Sequence, residues 1–330
     1  MFPSVNELLD TAHVVSLPMT SRFRGLDQRE ALLFRGPQGW SEFSPFAEYE
    51  DAEAAMWLLA AIDYAWNEQP PIVRDHIRVN ATVPAVPAEL VEAVLERFHG
   101  CRTAKVKVAE SAQTLDEDIA RVAEVRRAMG PAGRIRIDAN GAWTVDEAER
   151  AIHALAEFDL EYVEQPCATI AELGELRTRI KYMGIPVAAD ESVRKAADPL
   201  AVAHAGAADL LVIKAQPLGG VSRALSIVNQ AGLPAVVSSA LETSVGLAMG
   251  AHLAAAIEPL DYDCGLGTAS LLAADVTASP LRARDGQLEV GRVDADEALL
   301  TRWAASAERT SWWRDRLTRC HEIGKNYSPR

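Results

Sequence analysis

The chain has 330 residues, of which 49 % are hydrophobic, and it carries a formal net charge of −14 with a pI near 5.0. This length suits one large barrel plus a smaller element, or two domains, and the acidic balance argues against partners such as nucleic acid or an anionic membrane, because the net field repels phosphate. Four widely spaced cysteines without a CxxC pair indicate free thiols, and no secretory signal or apolar run of about 18 residues is recognised, so we expect a cytoplasmic protein.

The N-terminal region predicts a small α+β domain. Residues 12–49 alternate apolar and polar positions between glycines and prolines, which is typical of an antiparallel meander. Residues 50–66 have apolar side chains at helical spacing and an acidic first turn, which predicts a helix. We take residues 1–76 as an N-terminal domain.

From residue 77 the pattern changes to alternating strands and helices. Thr114 and Thr144 each precede an amphipathic segment and have a glutamate three residues on, which predicts capping boxes. Eight repeats of this alternation over residues 77–276 predict a closed β/α barrel. The strand-like runs are 77–83, 104–109, 134–140, 160–166, 186–192, 210–216, 235–241 and 262–267.

The repeat stops after residue 276. A hairpin is predicted around Asp285 and Gly286, and residues 298–320 are helical and rich in tryptophan. We expect the segment 277–330 to pack back on the N-terminal domain. The alternative is a surface helix whose tryptophans bind a partner.

Polar residues recur near the ends of the strand-like runs. Steps of 31, 26, 26, 24 and 24 residues separate Lys107, Asp138, Glu164, Asp190, Lys214 and Ser238. In a parallel β/α barrel the active site is built at the C-terminal ends of the strands. The spacing therefore predicts that these residues share one site.

Three of these residues are acids on successive strands, Asp138, Glu164 and Asp190. Converging carboxylates repel one another in a partly buried site unless a hard cation neutralises them. Carboxylate oxygens suit Mg²⁺ or Mn²⁺, so we predict a divalent metal site. The simpler alternative is that each acid is an ordinary loop or N-cap residue.

Three lysines belong to the same pattern. Lys105 and Lys107 lie two apart on one strand, so both side chains point to one face, and Lys214 approaches from the other side, with three strands between. Each cation of the pair, along with any desolvation, is expected to lower the pKa of the other, which would help one to act as a base near neutral pH. The simpler alternative is a set of solvated charges at the barrel rim.

Further polar groups are candidates for holding a substrate. Asn140 follows Asp138 on the same face, Ser238 and Ser239 end the seventh run, and Gly265 lies in a turn that permits close backbone approach. Two lysines in the spaced series (Lys107 and Lys214), three acids and no suitably placed histidine point to metal-assisted abstraction of a proton next to a carboxylate.

These motifs together resemble the enolase superfamily, in its muconate-lactonizing-type subgroup. The motifs are KVK at 105–107, DAN at 138–140, EQP at 164–166, ADES at 189–192 and IKAQPLGG at 213–220. The resemblance implies a modified (β/α)7β barrel, an α/β fold of the TIM-barrel type, with an α+β N-terminal capping domain completed by C-terminal residues. It also implies that Asp138, Glu164 and Asp190 bind Mg²⁺, that Lys107 is the acid/base with Lys105 beside it, and that Lys214 lies on the opposite face.

The catalytic motifs alone leave the reaction open. A racemase needs a base on each side of the substrate, whereas a dehydratase can use one lysine for both steps and the other for cation–π stabilisation. The segment 22–50, with FRG and WSEFSPF, resembles the cap of the shorter o-succinylbenzoate synthases, although Ser41 stands where a glycine is expected. That resemblance implies dehydration to 2-succinylbenzoate in menaquinone biosynthesis, with a small carboxylate substrate facing the loop that contains Arg24.

Three other functions stay open at this point. An N-acylamino-acid racemase or dipeptide epimerase would use the same lysines and acids. A barrel that binds ligands without catalysis is disfavoured, because such a protein has no reason to retain several like charges in one core. A non-enzymatic protein that binds a partner through its tryptophan-rich tail has no support elsewhere in the chain.

Overall fold

The computed structural model describes residues 2–23 and 25–327 of the chain. The strands are β1 (His13–Phe23), β2 (Leu26–Gly36), β3 (Gly39–Phe43), β4 (His76–Arg78), β5 (Ala81–Val83), β6 (Thr103–Lys107), β7 (Arg134–Asp138), β8 (Leu160–Glu164), β9 (Val187–Ala189), β10 (Leu210–Ile213), β11 (Ala235–Val237) and β12 (Gln287–Glu289). The helices are α1 (Val5–Asp10), α2 (Asp51–Trp66), α3 (Val91–Leu95), α4 (Leu115–Met129), α5 (Val145–Leu155), α6 (Ile170–Ile180), α7 (Glu191–Arg194), α8 (Ala201–His204), α9 (Val221–Ala231), α10 (Ser244–Ala256), α11 (Glu297–Arg302) and α12 (Ala307–Lys325).

Seven parallel strands form the main sheet, in the order β11-β10-β9-β8-β7-β6-β5. Each strand is followed along the chain by helical structure, and the capping boxes predicted at Thr114 and Thr144 are confirmed at the starts of α4 and α5. Sequential parallel strands joined by helices place all strand C-termini at one end of the sheet.

The segment at residues 263–265 joins the two edges of this sheet. Cys264 N donates to the Arg78 carbonyl at 2.8 Å, and Gly265 N donates to the Val237 carbonyl at 2.8 Å. The predicted eighth strand at 262–267 is therefore wrong as a regular strand, although isolated parallel bridges at Cys264 and Gly265 connect it to both edges.

The predicted strand at 77–83 is also wrong as one strand. β4 pairs in antiparallel fashion with β12, whereas β5 pairs in parallel with β6. The change occurs at Val79 and Asn80, whose amides donate to Gly286 and Cys264 carbonyls respectively. A run with one apolar pattern cannot reveal that its two halves have different partners.

Side chains fill the interior of the barrel toward the N-terminal ends of its strands. Tyr162, Ala188, Leu210, Val212 and Val236 form one buried apolar cluster. The Arg136 guanidinium is buried and lies 4.8 Å from the Tyr162 ring centroid. Any cavity for a substrate must therefore open at the other, C-terminal end of the strands.

The cap consists of the sheet β1-β2-β3 with α2 and the C-terminal helix α12. Trp313 of α12 is buried, donates from Nε1 to Glu30 Oε2 at 2.9 Å and contacts the Phe43 ring edge-on at 5.8 Å between centroids. Arg316 donates to the Phe46 carbonyl at 3.0 Å. Trp313 thus belongs to the core of the cap.

The predicted helical tail is interrupted. α11 ends at Arg302, and α12 begins after the N-cap Ser306. Between them, Ala305 N donates to the Val14 carbonyl at 2.9 Å, so the chain leaves the helix to add a bridge to β1. Among the residues that the structure describes, no helix has the length and apolar character needed to cross a bilayer.

A buried glutamate connects the cap to the barrel. Glu42 of β3 accepts from Thr243 N at 3.1 Å and from Gly246 N at 3.1 Å, at the first turn of α10. Ser44 Oγ also donates to this carboxylate, at 2.6 Å. Burial, with a smaller contribution from the neighbouring Glu242 carboxylate, raises the pKa of Glu42 to about 7, although these hydrogen bonds and the nearby Arg29 act to lower it.

The Glu42 carboxyl makes unfolding pH-dependent. The folded state binds its proton more tightly than the unfolded state, so stability from this group is present at low pH and is lost as the pH rises through about 7. Glu42→Gln lacks this titration, so wild type should lose stability relative to the variant as the pH rises. We expect the free energy of unfolding of Glu42→Gln, minus that of wild type, to increase by up to about 3 kcal/mol between about pH 5 and pH 8.

Denaturant unfolding at both pH values measures this difference. Glu48→Gln, which removes an exposed carboxylate from the same part of the cap, is the charge-matched control. If Glu42→Gln and wild type differ by the same amount at both pH values, Glu42 has an ordinary pKa and the prediction is wrong.

Candidate active site

The polar residues in phase with the repeat lie together at the C-terminal end of the parallel sheet. Lys107, Asp138 and Glu164 are the last residues of β6, β7 and β8, and the ladder pairs them as direct neighbours. Asp190 and Lys214 follow directly after β9 and β10, and Ser238 follows directly after β11. The parallel register therefore brings the whole series to one end of the barrel.

Lys105 joins two of the acids. Its Nζ donates to Asp138 Oδ2 at 3.0 Å and to Glu164 Oε1 at 2.7 Å, and the side chain is buried. Burial alone would lower the pKa of Lys105, but the charges of Asp138 and Glu164 raise it well above its ordinary value. A net lowering of the pKa is therefore not found at Lys105, because the charges of two carboxylates outweigh the effect of burial.

Lys107 lies at the entrance to this cluster. Its Nζ donates to Asp138 Oδ2 and to Asn140 Oδ1, each at 2.5 Å, and its side chain is 12 % exposed. Burial lowers the pKa of Lys107, and the Lys105 charge lowers it further, against the opposing effect of Asp138. Lys107 is thus the lysine of the pair whose environment favours a neutral amine.

The three acids differ in their surroundings. Burial tends to raise all three pKa values, but Lys105 and Lys107 hold the pKa of Asp138 well below its usual range, and Lys214 and Arg194 do the same for Asp190. Glu164 has its pKa raised to about 7 by burial and by the Asp138 charge. Its Oε2 is buried and has no hydrogen-bond partner.

Lys214 approaches the cluster from the opposite side of the barrel. Three strands, β7, β8 and β9, separate its strand β10 from β6. Lys214 Nζ donates to Asp190 Oδ2 at 2.6 Å, and Arg194 Nε donates to Asp190 Oδ1 at 3.0 Å. Asp190 therefore holds Lys214 opposite Lys107.

The carboxylates fit a divalent cation by their chemistry. Glu164 offers a buried, unpartnered oxygen between two other strand-end acids, and carboxylate oxygens are the ligands that Mg²⁺ prefers. In the described part of the chain, no three His, Cys, Asp or Glu side chains already form a compact metal-binding group. The lysines bonded to these acids occupy some of the oxygens that a cation would use.

A small cavity lies between the lysines. It has a volume of about 40 Å³ and adjoins a second cavity of about 320 Å³, and Lys107 and Asn140 line both. Ser239 Oγ is 2.7 Å from Thr268 Oγ1, and a Cβ at Gly265 would lie 2.5 Å from Ser238 Oγ. The smaller cavity is lined by Phe46, Thr82, Lys105, Lys107, Asp138, Asn140, Lys214, Ser238, Ser239, Ala240, Leu241, Gly265 and Thr268.

All of the predicted substrate-binding residues except Arg24 are thus found at one cavity. Ser238, Ser239, Gly265 and Asn140 line it, whereas Arg24 lies outside the described residues. Asn140 has a left-handed backbone, with φ of 47°, and its side chain also donates to Glu191 at 3.2 Å. It lies close enough to Lys107 to orient that amine.

Sequence reasoning missed several residues of the site. Phe46 reaches the cavity from the cap, and Thr82 and Thr268 reach it from the first barrel strand and the closing segment. Arg194 was also missed, although its position four residues after Asp190 on α7 is a local signal for an ion pair. Phe46 and Thr268 have no such local signal, because their proximity to the lysines depends on how distant segments pack.

Comparisons with known proteins agree with this architecture. The model of the enolase C-terminal domain-like family matches residues 85–293, and the model of the enolase N-terminal domain-like family matches residues 14–65. The muconate lactonizing enzyme from Pseudomonas fluorescens superposes with a TM-score of 0.74 at 21 % identity, covering 89 % of this chain and 98 % of that one. The predicted fold, a modified (β/α)7β barrel with an α+β cap, is confirmed.

More similar relatives are known by sequence. The o-succinylbenzoate synthase of Mycobacterium marinum is 52 % identical over 96 % of this chain and 95 % of its own length. That of Mycobacterium tuberculosis strain H37Rv is 51 % identical over 98 % of this chain and 97 % of its own length. The L-Ala-D/L-Glu epimerase from Bacillus subtilis, at 23 % identity with a TM-score of 0.71, covering 86 % of this chain and 96 % of that one, shares the fold.

Proposed function

The chain belongs to the enolase superfamily, and on this premise we propose that it catalyses the o-succinylbenzoate synthase reaction. In this reaction 2-succinyl-6-hydroxy-2,4-cyclohexadiene-1-carboxylate loses water to give 2-succinylbenzoate, a step of menaquinone biosynthesis. The observation that carries the proposal is the pair Lys107 and Lys214 on opposite sides of one cavity, in a chain about half identical to synthases along nearly its full length.

The same premise supports a cation at the acids. Enzymes of this superfamily generally depend on a divalent metal ion, and we propose Mg²⁺, held by Asp138, Glu164 and Asp190. When bound, the cation supplies charge neutralisation for the substrate carboxylate as the adjacent proton leaves. Lys105, already bonded to two of these acids, would lie beside that carboxylate.

Lys107 would then perform both proton transfers. Its neutral amine removes the proton next to the carboxylate, and Asp138 and Asn140 stabilise the ammonium that forms. The ammonium returns a proton to the departing hydroxyl on the same face, so water leaves in a syn elimination. The ring becomes aromatic, which makes this second step favourable.

Lys214 would lie over the opposite face of the ring. Its ammonium, held by Asp190, is placed to attract the delocalised negative charge of the ring. Ser238, Ser239 and Gly265 line the same cavity and would hold the succinyl side chain. These roles make Lys214 an electrostatic residue rather than a second base.

The proposal is tested by comparing two reactions of the wild-type protein. We expect Mg²⁺-dependent loss of water from the cyclohexadiene carboxylate, followed by ultraviolet absorbance, to be much faster than exchange of the α proton of N-succinyl amino acids in deuterated water. Exchange without dehydration would instead identify Lys107 and Lys214 as the two bases of a racemase or epimerase.

A further inference from the structure

A buried arginine of the cap binds the backbone that forms one wall of the candidate cavity. Arg29 of β2 is 3 % exposed, and its Nε donates to the Leu241 carbonyl at 3.0 Å. Its Nη2 donates to the Ala240 carbonyl at 3.3 Å and to the Ser44 carbonyl. One guanidinium thus connects the cap with residues 240–243 of the barrel, which we call the wall segment.

The wall segment needs such support because its backbone is unusual. Leu241 has φ of 67°, in the left-handed region that side chains other than glycine rarely adopt. Ala240 and Leu241 are buried, so carbonyls left without donors there would be costly. On the amide side, Ala240 N donates to Glu242 Oε2 at 2.6 Å, and Thr243 N donates to Glu42 at 3.1 Å.

Arg29 also contacts a second part of the same cavity. Its Cζ lies 4.5 Å from the centroid of the Phe46 ring. Phe46, Ala240 and Leu241 line the cavity together with Ser238 and Ser239, while Arg29 is outside this lining among the residues that the structure describes. Its contacts are therefore with the groups that shape the cavity.

We propose that Arg29 is a positioning residue, which sets the place of the wall segment and of Phe46 against the substrate. The inference rests on the proposed function, because it assigns the wall to the substrate of that reaction. An arginine suits the task, since one planar fork can donate to three carbonyls from two parts of the chain while its charge faces the buried Glu42 and Glu242. A lysine at this position keeps the charge but cannot span all three carbonyls.

The test uses Arg29→Lys as the main variant and Arg29→Met as the more severe one. The control is Arg309→Met. It removes the ion pair between Arg309 of α12 and Glu30, 2.6 Å apart, and Glu30 is the neighbour of Arg29 on β2. The first readout is amide hydrogen exchange of a peptide spanning residues 238–247, without ligand. The second is the binding of 2-succinylbenzoate, and the third is kcat and KM separately.

We expect Arg29→Lys to accelerate exchange in the 238–247 peptide by about tenfold or more, and to raise KM and the Kd of 2-succinylbenzoate by about tenfold, with kcat within about threefold of wild type. Exchange in β1 and β2 should stay near wild type. Arg309→Met should leave KM and the 238–247 exchange unchanged, even where it lowers thermal stability. If Arg29→Met does not fold, Arg29→Lys decides the matter.

Wild-type KM and wild-type exchange of the 238–247 peptide in Arg29→Lys would overturn the proposal. If thermal stability falls while both readouts stay unchanged, Arg29 is a purely structural residue. If wild type neither dehydrates the substrate nor binds 2-succinylbenzoate, the proposed function fails, and exchange of the ligand-free 238–247 peptide then decides for or against Arg29.

Discussion

Lys107→Ala is expected to lower kcat/KM for dehydration by about 10²–10⁴-fold, because one side chain would both remove and return the proton. Lys107 is the lysine of the pair whose net pKa is lowered, mainly by burial, and its Nζ is held at 2.5 Å from both Asp138 Oδ2 and Asn140 Oδ1. Steady-state dehydration assays at saturating Mg²⁺ measure the loss.

Two features make this test specific. Lys181→Ala, at an exposed position, is the control for removing a lysine, and it should retain wild-type activity. Near-ultraviolet circular dichroism of Lys107→Ala should match wild type, since Lys107 lies at the cavity and is not part of the apolar core. Dehydration by Lys107→Ala within about tenfold of wild type would remove Lys107 as the acid/base and leave Lys214 as the next candidate.

The second large effect is expected at the proposed metal site. Glu164→Gln should weaken Mg²⁺ binding by about 100-fold or more and abolish Mg²⁺-dependent dehydration, because it removes the negative charge of the carboxylate whose Oε2 is buried without a partner. Calorimetric titration of chelator-treated protein with Mg²⁺ measures the binding directly, without an activity assay.

Stability provides an independent check on the same site. A cation that binds only the folded protein stabilises it by about 2.7 kcal/mol when its concentration is 100-fold above Kd. Wild type should show this gain with Mg²⁺, and Glu164→Gln should not. Glu157→Gln, which removes an exposed carboxylate shortly before β8, is the matched control. Full activity of chelator-treated wild type without added metal would contradict the cation proposal.

The arrangement of the two lysines is compatible with more than one reaction. Lys107 and Lys214 face the same cavity from β6 and β10, so chemistry at either face of a substrate is geometrically available. Which reaction dominates then depends on how the substrate lies between them. Phe46 and two residues of the wall segment, Ala240 and Leu241, line the cavity together with Ser238, Ser239 and Gly265. Arg29 contacts both Phe46 and the wall segment.

The series of strand-end residues could be predicted from the residue order alone. Between Lys107 and Ser238, a polar residue recurs every 24–31 residues. A parallel ladder with helical crossovers places residues of that spacing at one edge of the sheet. The capping boxes at Thr114 and Thr144 are equally local, because residues three apart in the chain make the whole contact. Such features depend on residues that are close in sequence and on a regular repeat, so they can be predicted from the sequence.

How these residues act on one another, and how the cap contacts the barrel, depends on the packing of distant segments. Lys105 and Lys107 look equivalent in sequence, yet their pKa values move in opposite directions, because Lys105 bridges two carboxylates whereas burial dominates at Lys107. Arg29 and Leu241 are 212 residues apart, and no period or motif relates them. Contacts of this kind arise from the packing of a separate cap against a barrel rim, and local pattern carries no information about which of many distant segments will meet there.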